Sequence, residues 1–275
     1  MAQQQTNSLP GVTHVIAVAS GKGGVGKSTT TVNLALALKM LGKRIGVLDA
    51  DIYGPSVPTM LGVAEGTRPQ TAEGNRLMPI EAHGLATISM GNLTTEDTPM
   101  VWRGPMASGA LTQILTGTLW ADIDILIVDL PPGTGDIQLT LAQQAPVAGA
   151  IVVTTPQDIA LKDAIKAVEM FTKVSIPLMG IVENMAVHVC SKCGYEEHIF
   201  GEGGAQMMSE KYSIDVLGSM PLKAQIREDL DDGIPTLVKS PEGDVAVRYK
   251  EIAAQVIEKL ENNEFAQQSP DIIIE

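Results

Sequence analysis

The stretch Ser20-Gly21-Lys22-Gly23-Gly24-Val25-Gly26-Lys27-Ser28-Thr29 gathers glycines and two lysines between an apolar run and an Ala/Leu-rich segment. Glycines free the backbone to curl its N–H groups around phosphate oxygens. Gly21, four residues, then Gly26-Lys27-Ser28 is the spacing of a phosphate-binding loop. Lys27 would reach the outer phosphates and the Ser28 hydroxyl would ligate Mg2+, with Gly21 to Thr29 forming the cradle. The plain alternative is a glycine-rich turn that holds nothing.

Two acidic strand ends accompany the loop. Ile123 to Val128 is a hydrophobic run that delivers Asp129, the arrangement that sets a carboxylate beside Mg2+. Asp49 and Asp51 share another strand end, and alternation aims both the same way. One could organise the Mg2+ shell while the other orients an attacking water. Gly133 and Gly135, soon after Asp129, let the backbone swing toward a γ-phosphate, as a switch requires. A solvated strand end and an acidic turn before Pro55 are the alternatives.

Cys190 and Cys193 are the only cysteines, spaced as Cys-x-x-Cys. In a reducing compartment a close pair is a metal or redox site more often than a structural disulfide. Tetrahedral zinc and cubane iron-sulfur clusters each want about four protein ligands, and one chain offers two thiolates. His188 and His198 bracket the pair, so a Cys2His2 zinc knuckle is one reading. A redox dithiol and two loose thiols are others.

These residues need strand ends and a helix start to hold them. His14 to Ala19 reads as a buried strand, Ser28 to Leu41 as a helix, and Arg44 to Leu48 as a second strand. Pro55 to Leu61 could hold a helical turn, with an exposed loop over Gly62 to Asn75. Short strands are expected at Arg76 to Ile80 and Leu85 to Met90, a polar loop over Gly91 to Met100 and a helix at Gly104 to Trp120. Beyond Asp129 the pattern is helix Ile137 to Gln144, strand Ala150 to Thr154, helix Asp158 to Lys173, and strand Pro177 to Val182 ending at Glu183-Asn184. The cysteine pair then falls in a polar excursion over about residues 186–200, before Gly201 to Tyr212, a last strand at Asp215 to Ser219 and an amphipathic helix at Glu242 to Glu261. The alternation predicts an α/β fold, a mainly parallel twisted sheet with helices on both faces, in a single domain over residues 12–262. Residues 1–11 and 263–275 read as loose tails.

Apolar residues make up 44% of the 275, enough for a sizeable core, while aromatics are only 3%, so Val, Ile, Leu, Ala and the 13 methionines must fill it. With 19 basic against 32 acidic residues and a net charge of -13, no global attraction to nucleic acid or to an anionic membrane is expected. The polar N-terminus carries neither a secretory signal nor a membrane span, which points to a cytoplasmic chain.

Lys22 is one lysine more than a phosphate loop needs, and a solvated side chain is its plain reading. Gly21 to Ser28 resembles the deviant Walker A motif of the dimeric P-loop NTPase family that includes the MinD and ParA proteins, the arsenite-pump ATPase and the nitrogenase iron protein. There the early lysine reaches the partner's nucleotide, so the resemblance implies an ATP-sandwich homodimer with Lys22 acting in trans beside Lys27. Asp49 to Ser56, Val101 to Met106, Asp129 to Asp136, and Asn184-Met185 ahead of Cys190-Ser191-Lys192-Cys193-Gly194 narrow it further. Over residues 11 to 262 these resemble the Mrp/ApbC group of iron-sulfur cluster carriers. The resemblance implies that Asp49 contacts the Mg2+ site, Asp51 aids ATP hydrolysis, Asp129 is the Walker B acid and Asn184 recognises adenine. Two copies of Cys190 and Cys193 on a two-fold axis would supply four thiolates for a bridging cluster of the 4Fe-4S type. Scaffold proteins and apo iron-sulfur acceptors are the implied partners. Many members carry a further N-terminal domain, whereas here Met1 to Pro10 precede the first strand. A MinD/ParA-like spatial-organising switch with a structural zinc is the rival; an acidic end at Glu251 to Glu261 and few basic residues lean against its membrane and DNA versions. An electron-transferring reductase is the third class, and its cluster cysteines are well separated in sequence.

Overall fold

A computed structural model describes residues 8–93, 104–190 and 192–262. In chain order these form β1 (Val12–Ala19), α1 (Lys27–Met40), β2 (Ile45–Asp49), α2 (Val57–Met60), β3 (Thr71–Ala72), β4 (Arg76–Leu77), β5 (Ile80–Ala82) and β6 (Leu85–Ser89). Then come α3 (Gly104–Gly117), β7 (Ile123–Asp129), α4 (Asp136–Gln144), β8 (Val147–Thr154), α5 (Asp158–Lys173) and β9 (Leu178–Val189). The chain continues through β10 (Glu196–Glu197), α6 (Gly204–Tyr212), β11 (Val216–Leu222), α7 (Ala224–Asp231), α8 (Thr236–Lys239) and α9 (Asp244–Glu261). The expected tail residues 1–7 and 263–275, part of the polar loop with the Val101-Trp102-Arg103 run (94–103), and Ser191 lie outside the described residues.

The strands run in the order β10-β9-β8-β1-β7-β2-β6-β5, with β11 also on β9. Every pairing among β1, β2, β6, β7, β8, β9 and β11 is parallel; β5 and β10 add antiparallel edges, and β3 and β4 form a separate antiparallel pair. A central parallel strand is covered on both faces, which explains why β1 from Val15 to Ala19 and β7 from Ile125 to Val128 read as apolar runs. Alternation splits β1 between two cores: Ile16 and Val18 pack with α1 and α9, while Val15, Ala17 and Ala19 pack with α3, α5 and α6. All parallel strands therefore end on one edge, where Asp49 and Asp129 stand as direct register partners.

Five departures from the sequence reading have physical causes. The helix expected to reach Trp120 stops at Gly117, and the Trp120 indole N–H donates to the Leu115 carbonyl at 3.0 Å, folding the chain back over its own helix end. The single strand expected at Arg76 to Ile80 is interrupted before Ile80 by Pro79, which has no N–H for a ladder. Helices α7 and α8 carry too few apolar residues for a sequence period to reveal them, since only Ile226 and Leu230 of α7 are buried hydrophobics. The fourth concerns β9. Instead of ending at Glu183-Asn184 it runs on to Val189, held by β11 up to the pair Leu222 and His188. At the other end, Leu9 is buried and the Gly11 carbonyl accepts from Ile123 N at 2.8 Å, so the last residues of the expected N-terminal tail pack on the domain.

Candidate nucleotide site and cysteine hairpin

The loop from Ser20 to Gly26 leaves β1 and opens α1 at Lys27. It is pressed against its surroundings on two sides. A Cβ on Gly21 would lie 2.0 Å from the Asp163 carbonyl carbon of α5, and one on Gly26, at φ 82°, would lie 2.1 Å from Asn184 Nδ2 of β9. Only glycine allows both approaches. The loop curls around a cavity of about 180 Å3 lined by Lys22, Gly24, Lys27, Ser28, Thr29 and Asp51 among others. A larger cavity of about 430 Å3 adjoins it through Asp51 and Pro132 and is bounded by Tyr53, Gly104, Asp136 and Gln138.

Asp129 is the electrostatic centre. It is fully buried, its Oδ2 lies 2.7 Å from Lys27 Nζ and accepts the Ser28 hydroxyl at 2.6 Å, and its Oδ1 accepts the Thr31 hydroxyl at 2.6 Å. A hydroxyl that gives its proton to a carboxylate presents its lone pairs outward as ligands. Lys27 also stands 3.9 Å from Asp51 Oδ2. Asp49 faces the other way: its oxygens accept from Asp51 N at 3.1 Å, Val57 N at 3.3 Å and the Ser89 hydroxyl at 3.0 Å. Burial, with the neighbouring Asp129 charge added, pushes the Asp49 carboxyl up to about 7. Burial also raises Asp51, whose Oδ1 is buried with no partner among the described residues. The two acids that share a strand end thus have different settings: Asp49 is spent on two backbone N–H groups and the Ser89 hydroxyl, while Asp51 accepts from the Gly54 and Tyr53 N–H groups and lines the cavity.

The turn after Asp129 is fastened from both ends. Gly133 N donates to Ser20 O at 2.9 Å, and the Gln138 amide donates to the Pro131 and Gly133 carbonyls at 3.0 Å each while its oxygen accepts from Gly135 N. Lys22 Nζ lies 3.5 Å from Gln157 Oε1 just ahead of α5, the long end of hydrogen bonding. Asn184, buried on β9, donates from Nδ2 to the Val25 carbonyl at 2.9 Å, so it touches the loop itself.

Past Asn184, β9 carries the cysteines. Val189 and His188 pair with Glu196 and Glu197 of β10, and Cys190 N to Tyr195 O and Gly194 N to Cys190 O, each 2.9 Å, close a hairpin tip. The polar excursion expected over residues 186–200 is therefore partly an extension of the sheet. Cys190 is half-buried, Cys193 is exposed, and both are free thiols. Backbone N–H groups of Lys192 and Cys193, then the Cys193 side chain, hold the Cys190 thiol below its ordinary value. The two histidines that would complete a zinc knuckle, His188 and His198, turn Nδ1 to the carbonyls of Leu222 at 3.2 Å and Ala186 at 3.0 Å. No group of three or more His, Cys, Asp or Glu that could hold a metal ion exists among the described residues.

The loop, the acids and the cysteine hairpin can be set against known proteins. The family described as ParA, an NUBPL iron-transfer P-loop NTPase, matches residues 11–257. The chain belongs to this family. Among relatives of this iron-transfer P-loop NTPase, an iron-sulfur cluster carrier protein of Pseudomonas fragi is 59% identical over 252 residues, covering 92% of this chain and 88% of the relative. An iron-sulfur cluster carrier protein of Escherichia coli K12 is 60% identical, covering 92% and 68%. The iron-sulfur cluster transfer protein NUBPL of Dictyostelium discoideum is 44% identical over 271 residues, covering 97% and 84%. Among solved structures, a nucleotide-binding protein of Archaeoglobus fulgidus in complex with ADP superposes with TM-score 0.73 at 36% identity over 86% of this chain and 91% of that one. The septum site-determining protein MinD of Pyrococcus horikoshii, complexed with Mg-ADP, shares the fold with TM-score 0.69 at 20% identity, covering 91% and 98%.

In this NTPase the fold brings Lys27, Ser28, Asp51 and Asp129 together, with Asp49 one strand pairing away; it leaves the cysteines at the far end of β9. Four participants escaped the sequence reading. Thr31 sits four residues after Lys27, on the same face of α1, and that spacing could have flagged it. Ser89, which supports Asp49, is its register partner on β6 and needs the strand order to be found. Gln138 and Gln157 carry no motif signal at all.

Proposed function

We propose that the chain is an ATP-hydrolysing carrier that holds an iron-sulfur cluster between two copies of itself and hands it to apo-proteins. The observation that carries this is β9: one strand bonds the phosphate loop through Asn184 and ends in the exposed Cys190–Cys193 hairpin. The phosphate loop and the two thiols are thereby joined by a single element.

The residues fit Mg2+. The Ser28 oxygen, oriented by Asp129, and the unpartnered Asp51 Oδ1 are hard oxygen donors beside the phosphate loop. Held by these oxygens, Mg2+ would supply neutralisation of phosphate charge. Asp49, beside Asp129 across the β2–β7 pairing, completes the acidic surroundings. Lys27 exchanges part of its hold on Asp129 for the outer phosphates, and the loop amides from Gly21 to Thr29 cradle the rest. Asp51, beside the Mg2+ site, orients the attacking water. Asn184 recognises adenine with the amide atoms not spent on Val25. Lys22, loosely held by Gln157, reaches the nucleotide of the partner copy and stabilises charge as the γ-phosphate leaves.

The cluster is cargo. Cys190 and Cys193 of two copies supply four thiolates, the count a 4Fe-4S cluster takes. Attachment at two points per chain on an exposed hairpin suits release better than storage. Scaffold proteins would load it and apo-proteins unload it, in a cytoplasm that keeps thiols reduced. No described helix is long and apolar enough to cross a membrane. The test is transfer from the loaded chain to an apo ferredoxin with and without ATP: Lys27→Ala should abolish the nucleotide-dependent part, and unchanged transfer by that variant sinks the coupling.

A further inference from the structure

Strand β9 is not regular between its two functional ends. Ser219 of β11 pairs with Glu183, yet Pro221, two residues on, pairs with Val187, four residues on. Two extra residues of β9 are therefore accommodated as a bulge over Asn184 to Ala186. Met185 lies at its centre with φ 57°, a left-handed conformation that a residue with a side chain adopts at a cost. Bulges of this kind re-aim a strand and occur beside functional sites.

Each side of the bulge is fastened to a different part of the machinery. Asn184 donates to the Val25 carbonyl in the phosphate loop. Ala186, on the other side of Met185, gives its carbonyl to His198 Nδ1 at 3.0 Å. A carbonyl only accepts, so the proton is on Nδ1. His198 directly follows β10, the strand that closes the cysteine hairpin. The hairpin is thus tied to the bulge twice, through the β9 backbone and through the imidazole.

We propose that the Asn184–Ala186 bulge is the element that couples the nucleotide loop to the cysteine pair, with His198 the positioning residue that carries its setting onto the hairpin. This rests on the carrier reading and names how that site is regulated. A nucleotide that fixes the loop amides fixes the Val25 carbonyl, Asn184 follows it, and the bulge shifts between two settings of Met185. His198 then moves β10 with β9, so the two thiols keep their mutual spacing while their exposure changes. This also gives His198 a task that does not involve a metal.

The experiment uses the full reduced chain without cluster, ADP with Mg2+ as the probe, and the rate of iodoacetamide alkylation at Cys190 and Cys193 followed by peptide mass. In the wild type, saturating ADP should change that rate about 5-fold or more, the lower end of ordinary coupling between sites. His198→Ala should bind ADP as the wild type does, yet alkylate at one rate with or without it. His198→Asn places an amide N–H near the Nδ1 position and should restore the difference, which a merely structural loss would not do. A wild type indifferent to ADP, or a His198→Ala chain with the full wild-type response, overturns the proposal. Iron and sulfide loading of the wild type is read separately, so failure of the coupling and failure of the carrier reading give different results.

Discussion

Replacing Asp49 by Asn isolates the electrostatic tension at the strand ends. Asp49 is fully buried beside the fully buried Asp129, and burial first, then that charge, lift its carboxyl from 3.8 to about 7. The folded value lies above the unfolded one, so between about pH 4 and pH 7 the folded chain keeps a proton that the unfolded chain has released. Its stabilising contribution is complete below that window and is lost as pH rises through about 7, amounting to roughly 4 kcal/mol at the top. Asn carries no charge at any pH. Its oxygen can keep the Asp51 N–H and the Ser89 hydroxyl can reverse to accept, but Val57 N, at 3.3 Å, loses its acceptor for about 1 kcal/mol. Asp49→Asn should therefore be roughly 3 kcal/mol more stable than the wild type at pH 8 and within about 1 kcal/mol of it at pH 5. Urea unfolding of both chains at the two pH values, in EDTA and without nucleotide, measures this. A variant no better off at pH 8 than at pH 5 refutes the reasoning.

Other perturbations test the remaining parts of the site. Lys27→Ala leaves the Asp129 carboxylate buried without its cation, so the nucleotide-free chain should lose about 3–5 kcal/mol in urea unfolding, and calorimetry should detect no ATP binding. Lys22→Ala should still bind ATP, because its nearest partner is Gln157, but hydrolysis should fall by about 10²-fold and the nucleotide-linked dimer should vanish from light scattering. Gly26→Ala forces a Cβ to within 2.1 Å of Asn184 Nδ2 at a left-handed φ, so thermal unfolding should report a loss of about 1–3 kcal/mol.

Much of the site is legible in the sequence because its chemistry is local. The loop from Gly21 to Thr29 and the strand end at Asp129 are each contiguous, and apolar runs such as Ile123 to Val128 announce central strands without any knowledge of neighbours. What stays hidden depends on strand order. That Asp49 faces Ser89 and sits in register with Asp129 follows only from β2 lying between β6 and β7. The path of β9 is hidden for a related reason: polar residues at Glu183 and Asn184 mimic a strand end, yet their side chains reach inward to Ala205 N and Val25 O. The histidines offered as candidate ligands likewise turn their Nδ1 atoms to carbonyls that are remote in sequence or across the hairpin.

Cluster binding by Cys190 and Cys193 of two copies is the central claim, and anaerobic reconstitution with iron and sulfide tests it most directly. Wild type and a Cys190→Ala/Cys193→Ala variant are loaded side by side, with visible absorption, iron and sulfide content, and mass in solution recorded together. The account predicts a chromophore in the wild type, about four iron and four sulfide per pair of chains, a dimer mass, and none of these in the variant. A colourless wild type, an equal chromophore in the variant, or a cluster on a monomer would contradict it.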